Sequence, residues 1–495
     1  MDSRTPVIVG VGQVDGRLLG GDGASPEPVD LMAAAARLAG EDASASALLT
    51  RLDSVRVVSL LSWYYRDPAR LLAERLGASA RHTVLTGIGG NEPQELVTSA
   101  CQDIAAGRAS TVLVAGGESW RTRMKARARG EKPDWTRQAD DLVPDEVGEN
   151  VPLSSEHETS LGLTMPVQLY PLFEQALRIS GGRTVDEQLD RAAGLWSRFS
   201  EVAAANPHAW RREALDAETI RTPGPKNRWV GWPYPKLMNS NNDVDQGSAL
   251  LVCSVETAQA AGVPREQWVF PHAGTRAHDT YAVTERPGLD RSPAIRVAGR
   301  RALELAGIGI DDPVAVDLYS CFPSAVQVAA AELGLPVDDP ARPLTVTGGL
   351  TFAGGPWNNY VGHAIAAMVT RLRSEGSATG LVTANGGFLT KHAIGVYGTE
   401  PPAEGFRAED VQAEVDAAEA PTPAADSYVG PGRVESWTVM HGREGPEKAF
   451  VAVRTPDERR AWGVSEDPSV LAELLERDIA GEKIQIASDA ALDLG

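Results

Sequence analysis

Cysteine is scarce in this chain, with three residues in 495. Cys101, Cys253 and Cys321 are odd in number, far apart and each set in an apolar stretch. Neither a disulfide framework nor a metal site follows, and the reducing cytoplasm is the expected location. Long apolar runs are missing as well. Nowhere do about 18 consecutive apolar residues occur, which excludes a membrane-spanning helix. The opening MDSRTPVIVGVGQ lacks the basic-then-apolar order of an export signal. Positive charge is in deficit, 47 Lys plus Arg against 67 Asp plus Glu, for a net charge of -20 that excludes nucleic acid as an expected partner. Nucleotide cradles are absent too. The sixth place of Gly10-Val-Gly12-Gln-Val-Asp15 is aspartate where a dinucleotide fingerprint needs glycine, and no Gly-Lys-Ser/Thr loop occurs.

What is present is enough apolar material, 42% of residues, for a large core spread over several domains. Pro6 to Gly12 is a short β-branched run ended by glycine, the pattern of a strand buried on both faces. A helix from Asp30, a strand from Leu52 to Leu61, a helix from Asn91 to Ala106 and a strand from Thr111 to Ala115 follow. A comparable order returns later: strand Trp268 to Ala273, helix Ala294 to Ala306, strand Pro313 to Tyr319, helix Gly362 to Arg373 and strand Gly380 to Ala384. The stretches SACQDIAAGRASTVLVAGG and AAMVTRLRSEGSATGLVTANGG both read helix, glycine-bearing turn, strand and glycine pair, so the chain carries an internal duplication. Between the halves, residues 121–235 read as an irregular inserted loop domain or lid. Residues 401–427 have the Pro, Ala and Glu content of a linker with one short helix. Residues 428–495 alternate β-formers around glycine turns, with a helix at Pro468 to Asp478, which predicts a small β-barrel.

GIGGNEPQELVTSACQDIAAGRASTVLVAGGES resembles, without gaps, the thiolase superfamily's stretch in which a nucleophilic cysteine opens a helix leading to a strand that ends Ala-Gly-Gly. VDLYSCFPSAVQVAAAELGL, GGLTFAGGP and LVTANGGF resemble three further family blocks in the same order, so the resemblance covers residues 1–400. The part beyond 428 looks like the additional C-terminal domain of thiolase-like proteins known mainly from mycobacteria. The fold implied is α/β: a duplicated thiolase fold of two βαβαβ-type halves layered α/β/α/β/α. Residues 1–120 and 236–267 form the first half, 121–235 the insertion, 268–400 the second half, 401–427 the linker and 428–495 the added β domain.

The same resemblance puts glycine or alanine at every family catalytic position. Gly90 stands for the nucleophilic cysteine, Gly355 for the histidine and Ala384 for the second cysteine. A thiolase needs a thiolate near a helix N-terminus to accept the acyl group, and Gly90 supplies none. The helix start survives, with Asn91 expected as N-cap and Gln94 three residues on. Gly87, Gly89 and Gly90 then either make a tight turn or, with Asn91, bind a thioester carbonyl through backbone N–H groups. His363, eight residues after Gly355, is a core or capping histidine or a substitute base. Lys391 and His392 follow Ala384 as weaker candidates. Tyr319 stands where the family places a water-positioning asparagine or histidine. With Tyr360 it forms either an acid/base pair or a pair of space-filling aromatics. Cys321 reads as a buried small hydrophobe. Arg121 and Arg123, in a basic island with Lys125, Arg127 and Arg129, are expected contacts to coenzyme A or a solvated charged face. Asn242 matches a family serine on the pantetheine arm.

The functional expectation is a coenzyme A or acyl-CoA-binding protein, an acetyl-CoA acetyltransferase by descent, working in lipid or sterol metabolism without ordinary thiolase turnover and requiring no resident cofactor or metal. One rival is a retro-aldolase acting on a β-hydroxyacyl-CoA through Tyr319, since some sterol-carrier-type relatives have tyrosine there. Another is a non-catalytic scaffold that recruits a protein partner through the C-terminal domain. Thiolases dimerise, yet the added domain would cover an interface, which tips the expectation slightly to a monomer.

Overall fold

The structure is a computed structural model that describes residues 2–19 and 26–494. Its first sheet runs, edge to edge, Pro6–Asp15, Asp245–Ser254, Thr111–Ser119, Ser54–Val57, His82–Leu85 and Glu146–Val147. The second runs Ala315–Asp317, Thr379–Gly386, Lys391–Gly398, Phe270–His278 and Arg407–Asp410. The duplication is visible in the pairing. In the first half Ser54–Val57 runs parallel to Thr111–Ser119, which pairs antiparallel with Asp245–Ser254, and that strand pairs antiparallel with Pro6–Asp15. In the second half Ala315–Asp317, Thr379–Gly386, Lys391–Gly398 and Phe270–His278 repeat the sequence parallel, antiparallel, antiparallel. The strands ending AGG and NGG are therefore equivalents.

The helices Glu92–Ala105 and Tyr360–Arg373 lie between the two sheets. Leu96, Val97, Ala100, Cys101 and Ile104 give the first of them a buried face at helical spacing. Pro28–Asp42 covers the outer face of the first sheet and Pro293–Ala306 that of the second, which completes the five-layer sandwich.

The insertion is not irregular. It holds the amphipathic helices Pro166–Ser180 and Val185–Ala205. Pro171 inside the first obscures its period, whereas the Thr184 and Glu187 capping box of the second is written in the sequence. Glu174 is fully buried there and accepts hydrogen bonds from Gln188, Gln327 and Tyr234, tying both insertion helices to the helix Pro323–Leu333 of the second half. Residues 401–427 are more than a linker, because Arg407–Asp410 extends the second sheet in parallel to Phe270–His278 and Gln412–Ala418 is helical. The C-terminal domain is a curled sheet ordered Arg460–Ser465, Pro446–Arg454, Gly430–His441, Lys483–Ile486 and Leu492–Asp493. A bridge from Val464 to Ala491 draws its ends together, and Trp229–Gly231 of the insertion pairs with its central strand.

Candidate functional site

The turn Gly87 to Asn91 delivers the central helix Glu92–Ala105 to the point where the second half's strands end. A Cβ placed on Gly90 would meet the Tyr319 hydroxyl at 2.5 Å and would also press on the Asn385 carbonyl. The phenol thus fills the space into which a nucleophilic side chain at position 90 would project. Tyr319 is held by its backbone N–H, which donates to Thr383 Oγ1 at 2.9 Å, and by the ring of Tyr360, edge-on with centroids 5.5 Å apart. Its hydroxyl lies beside Gly90, where the two residues border a cavity.

Gly90 and Tyr319 form one end of a cavity of about 400 Å³ whose wall is mostly apolar, with Leu61, Leu153, Met165, Val167, Phe322 and Phe388 in it. Asn242, Cys321, Asn385, Asn239 and Trp357 also line it. Asn385 Nδ2 donates to Tyr170 Oη at 2.9 Å, and the Asn385 Oδ1, Asn239 Oδ1 and Trp357 Nε1 atoms are buried without partners among the described residues. Trp357 holds a left-handed backbone, φ 47°, which an aromatic side chain adopts only at a cost and which marks a constrained site.

Among the described residues the lining contains no Asp, Glu, His, Lys or Arg. Its ionisable groups are Tyr170, Tyr319 and Cys321. Burial pushes both phenols well above their usual range and the Cys321 thiol up to about 12. All three are neutral proton donors at physiological pH. The wall can donate a hydrogen bond to a developing oxyanion, but no side chain in it accepts a proton.

Of the residues singled out from sequence, Gly90, Tyr319, Asn242 and Cys321 meet at this cavity. Others do not line it. Tyr360 lies behind Tyr319, with its hydroxyl 2.6 Å from Thr347 Oγ1 and donating to Asp317 Oδ1 at 3.2 Å, so it supports a buried carboxylate that burial raises to about 6. The His363 imidazole is buried on the Gln13 side chain, Nδ1 to Oε1 2.9 Å, and burial lowers it to about 3. Asn91 is not a side-chain cap. Its backbone is helical, φ −73° and ψ −26°, and its Nδ2 donates to Glu95 at 2.6 Å. The helix start is instead favoured by Pro93 in its first turn. Lys391 Nζ donates to the Ile88 carbonyl at 2.6 Å, behind the glycine turn, and His392 is buried beside Ser292 and Asp279.

Gly355 accommodates Asn242, whose Oδ1 would stand 3.1 Å from a Cβ there. Ala384 faces a small closed void shared with Tyr319 and His392. Arg121 pairs with Asp243, next to Asn242, at 2.7 Å, and Arg123 donates to the Leu61 carbonyl at 2.7 Å, so both brace the rim. Trp357, Asn385 and Tyr170 went unmarked in the sequence. The first two follow Gly355 and Ala384 closely enough for proximity to have flagged them.

A duplicated α/β sandwich with this cavity at the tip of its central helix is a thiolase fold, here with glycine at position 90 where that helix begins. Residues 410–491 match the model of the thiolase-like protein type 1 additional C-terminal domain. Over 99% of both chains the protein is 33% identical, with a TM-score of 0.83, to a monomeric SCP2-thiolase-like protein type 1 from Mycobacterium smegmatis. It belongs to that family, the SCP2-thiolase-like proteins of type 1. An acetyl-CoA acetyltransferase from Methanocaldococcus jannaschii is 27% identical over 180 residues, which are 36% of this chain and 43% of that protein, so the chain spans less than half the length of this curated relative. A likeness of fold alone links it to an Ltp2-ChsH2(DUF35) aldolase, 19% identical with a TM-score of 0.60 over 79% of this chain and 97% of the other.

Proposed function

We propose that the chain binds coenzyme A thioesters in the cavity at Gly90 without passing their acyl group to a cysteine. The observation that carries this is the apolar channel interrupted by unpartnered buried amide and indole groups at Asn239, Asn385 and Trp357. A pantetheine arm is a thin, largely apolar chain with two amides, and each amide can pair with such groups, whose burial otherwise costs about 1–3 kcal/mol apiece. The acetyl-CoA acetyltransferase relative supports the ligand class, and the apolar wall suits an acyl chain drawn from lipid metabolism. Cys321 and the other two cysteines are buried and unpaired, which fits a reducing cytoplasm. A single copy is the working form on the analogy of the monomeric M. smegmatis protein. Calorimetry with CoA and a series of acyl-CoA thioesters tests the reading. Saturable binding is expected, together with no thiolytic cleavage of acetoacetyl-CoA, and thiolase-like turnover would overturn it.

A lyase reading is favoured by the Tyr319 hydroxyl beside Gly90, which can donate to the oxygen of an enolate. Retro-aldol cleavage also needs an acceptor for the β-hydroxyl proton, and the lining side chains supply none. Aldehyde release from a β-hydroxyacyl-CoA that disappears in Tyr319→Phe would decide for this second reading.

A further inference from the structure

The C-terminal domain braces the cavity wall by two routes, and both lead to Tyr170. The first runs through the helix Pro166–Ser180, whose Val167 and Tyr170 line the cavity. The same helix packs on the domain's strand Gly430–His441. Ser436 Oγ of that strand donates to the Leu172 carbonyl at 2.6 Å, and the Arg178 guanidinium donates to both oxygens of Asp478 at 2.8 and 2.9 Å.

The second route runs through the turn that carries Gly387 and Phe388 in the cavity wall and Leu389 behind it. Arg460 of the domain donates from Nη1 to the Arg286 carbonyl at 2.7 Å. The buried Arg286 side chain donates in turn to the Phe388 carbonyl at 3.0 Å and the Leu389 carbonyl at 2.8 Å. These two carbonyls bracket the Leu389 Cα, whose left-handed backbone, φ 59°, a leucine adopts only at a cost. The guanidinium therefore holds a conformation that would otherwise relax.

What both routes fix is the Tyr170 hydroxyl. It accepts from the Leu389 N–H and from Asn385 Nδ2, each at 2.9 Å, which fills both of its lone pairs and leaves its own proton to be donated elsewhere. The Gly387 carbonyl, at 3.5 Å, is beyond a normal O–H···O bond, and the neighbouring Cys321 thiol is a weak acceptor. Stacking on Phe322, with centroids 4.5 Å apart, and edge-on contact with Phe173 keep the ring in place.

We propose that the C-terminal domain completes the ligand site by positioning Tyr170, whose hydroxyl donates to an oxygen at the acyl end of the bound thioester. The inference rests on the coenzyme A reading above and gives the added domain a part in it. Arg460 and Arg286 are positioning residues, and Tyr170 is the group that meets the ligand. A domain that served only as a docking platform would need no brace on the cavity wall.

The test is calorimetry on the full chain with an acyl-CoA thioester and the S-alkyl-CoA thioether of equal chain length, which lacks the carbonyl oxygen. The wild-type chain should bind the thioester about three- to tenfold more tightly, the contribution of one buried hydrogen bond. Tyr170→Phe should bring that ratio to about one. Arg460→Met and Ser436→Ala lie outside the cavity lining, and either should lower the ratio about twofold or more. Circular dichroism establishes that each variant is folded at the assay temperature, and Ser436→Ala, the milder change, reports alone if Arg460→Met is not. General loosening weakens both ligands together, so the ratio separates positioning from stability. A wild-type ratio near one, or a wild-type ratio kept in Tyr170→Phe or in every folded domain variant, overturns the inference. Failure of the wild-type chain to bind either ligand removes the coenzyme A reading itself, and with it the inference.

Discussion

The hydroxyl oxygen of Tyr319 lies 2.5 Å from where a Cβ on Gly90 would stand. A side chain at position 90 would meet this hydroxyl and the Asn385 backbone carbonyl together, so both confine the position to glycine. Gly90→Ala should destabilise the protein by about 1–3 kcal/mol through overpacking. Adding Tyr319→Ala should recover only part of that, because the Asn385 backbone carbonyl presses on the same point. A double-mutant cycle in urea reads the coupling, and additive losses would count against the shared space.

Glu92, in the first turn of the central helix, has a carboxyl raised to about 7 by burial and then by Glu95, against the lowering effect of Lys391. An unfolded glutamate titrates near ~4.3. Between these values the folded state holds the extra proton, so this group's stabilising contribution is complete below the unfolded value and is lost as pH rises through about 7. Wild-type stability should therefore fall relative to Glu92→Gln between pH 5 and pH 8. Urea unfolding at both values checks this, and a gap that does not change with pH would refute it.

Burial, with a smaller push from His208, holds His363 down at about 3, and its Nδ1 faces the Gln13 side-chain oxygen. The imidazole should stay neutral across physiological pH. Its C2 proton resonance, assigned by comparison with His363→Gln, should not shift between pH 5 and pH 8. A midpoint near the ordinary histidine value of about 6.5 would show that the ring is open to solvent and revive it as a base.

Arg460 fastens the C-terminal domain to the body. Its Nη1 donates to the carbonyls of Thr284 at 2.9 Å and Arg286 at 2.7 Å, while its Nε donates to Glu435 at 2.7 Å. Arg460→Met should cost about 1–3 kcal/mol, since it leaves the Thr284 and Arg286 carbonyls unmet while Glu435 keeps Arg454 as a partner at 3.0 Å. Faster proteolysis within residues 401–427 should accompany the loss in a thermal and limited-digestion assay. Unaltered digestion would show that the domain is held by other contacts.

Much of this architecture was written locally. The paired stretches ending AGG and NGG announce equivalent strands because a buried strand needs β-branched residues and a glycine end wherever it sits. Gly90, Gly355 and Ala384 could be read as losses because they stand inside recognisable blocks. The insertion was harder to read. Pro171 and the Trp-rich flanks hid two helices whose period is clear once Leu169, Leu172, Phe173 and Ala176 are seen on one buried face. The strand Asp245–Ser254 is also hard to read, because its opening Asp-Gln-Gly-Ser looks like a turn until Thr111–Ser119 and Pro6–Asp15 flank it on both sides.

The sequence by itself determined the α/β duplication and the added β domain, both of which depend on residue types within short stretches. Only the tertiary structure decided what surrounds Gly90. It brought Tyr319 from the second half against Gly90 from the first, sent Tyr360 and His363 to buried partners, and left a cavity lined by neutral donors. Those outcomes depend on which side chains meet across two sheets and on how far burial shifts their protons. Neither quantity is carried by any one segment, because both arise from the low-dielectric surroundings that distant residues create together.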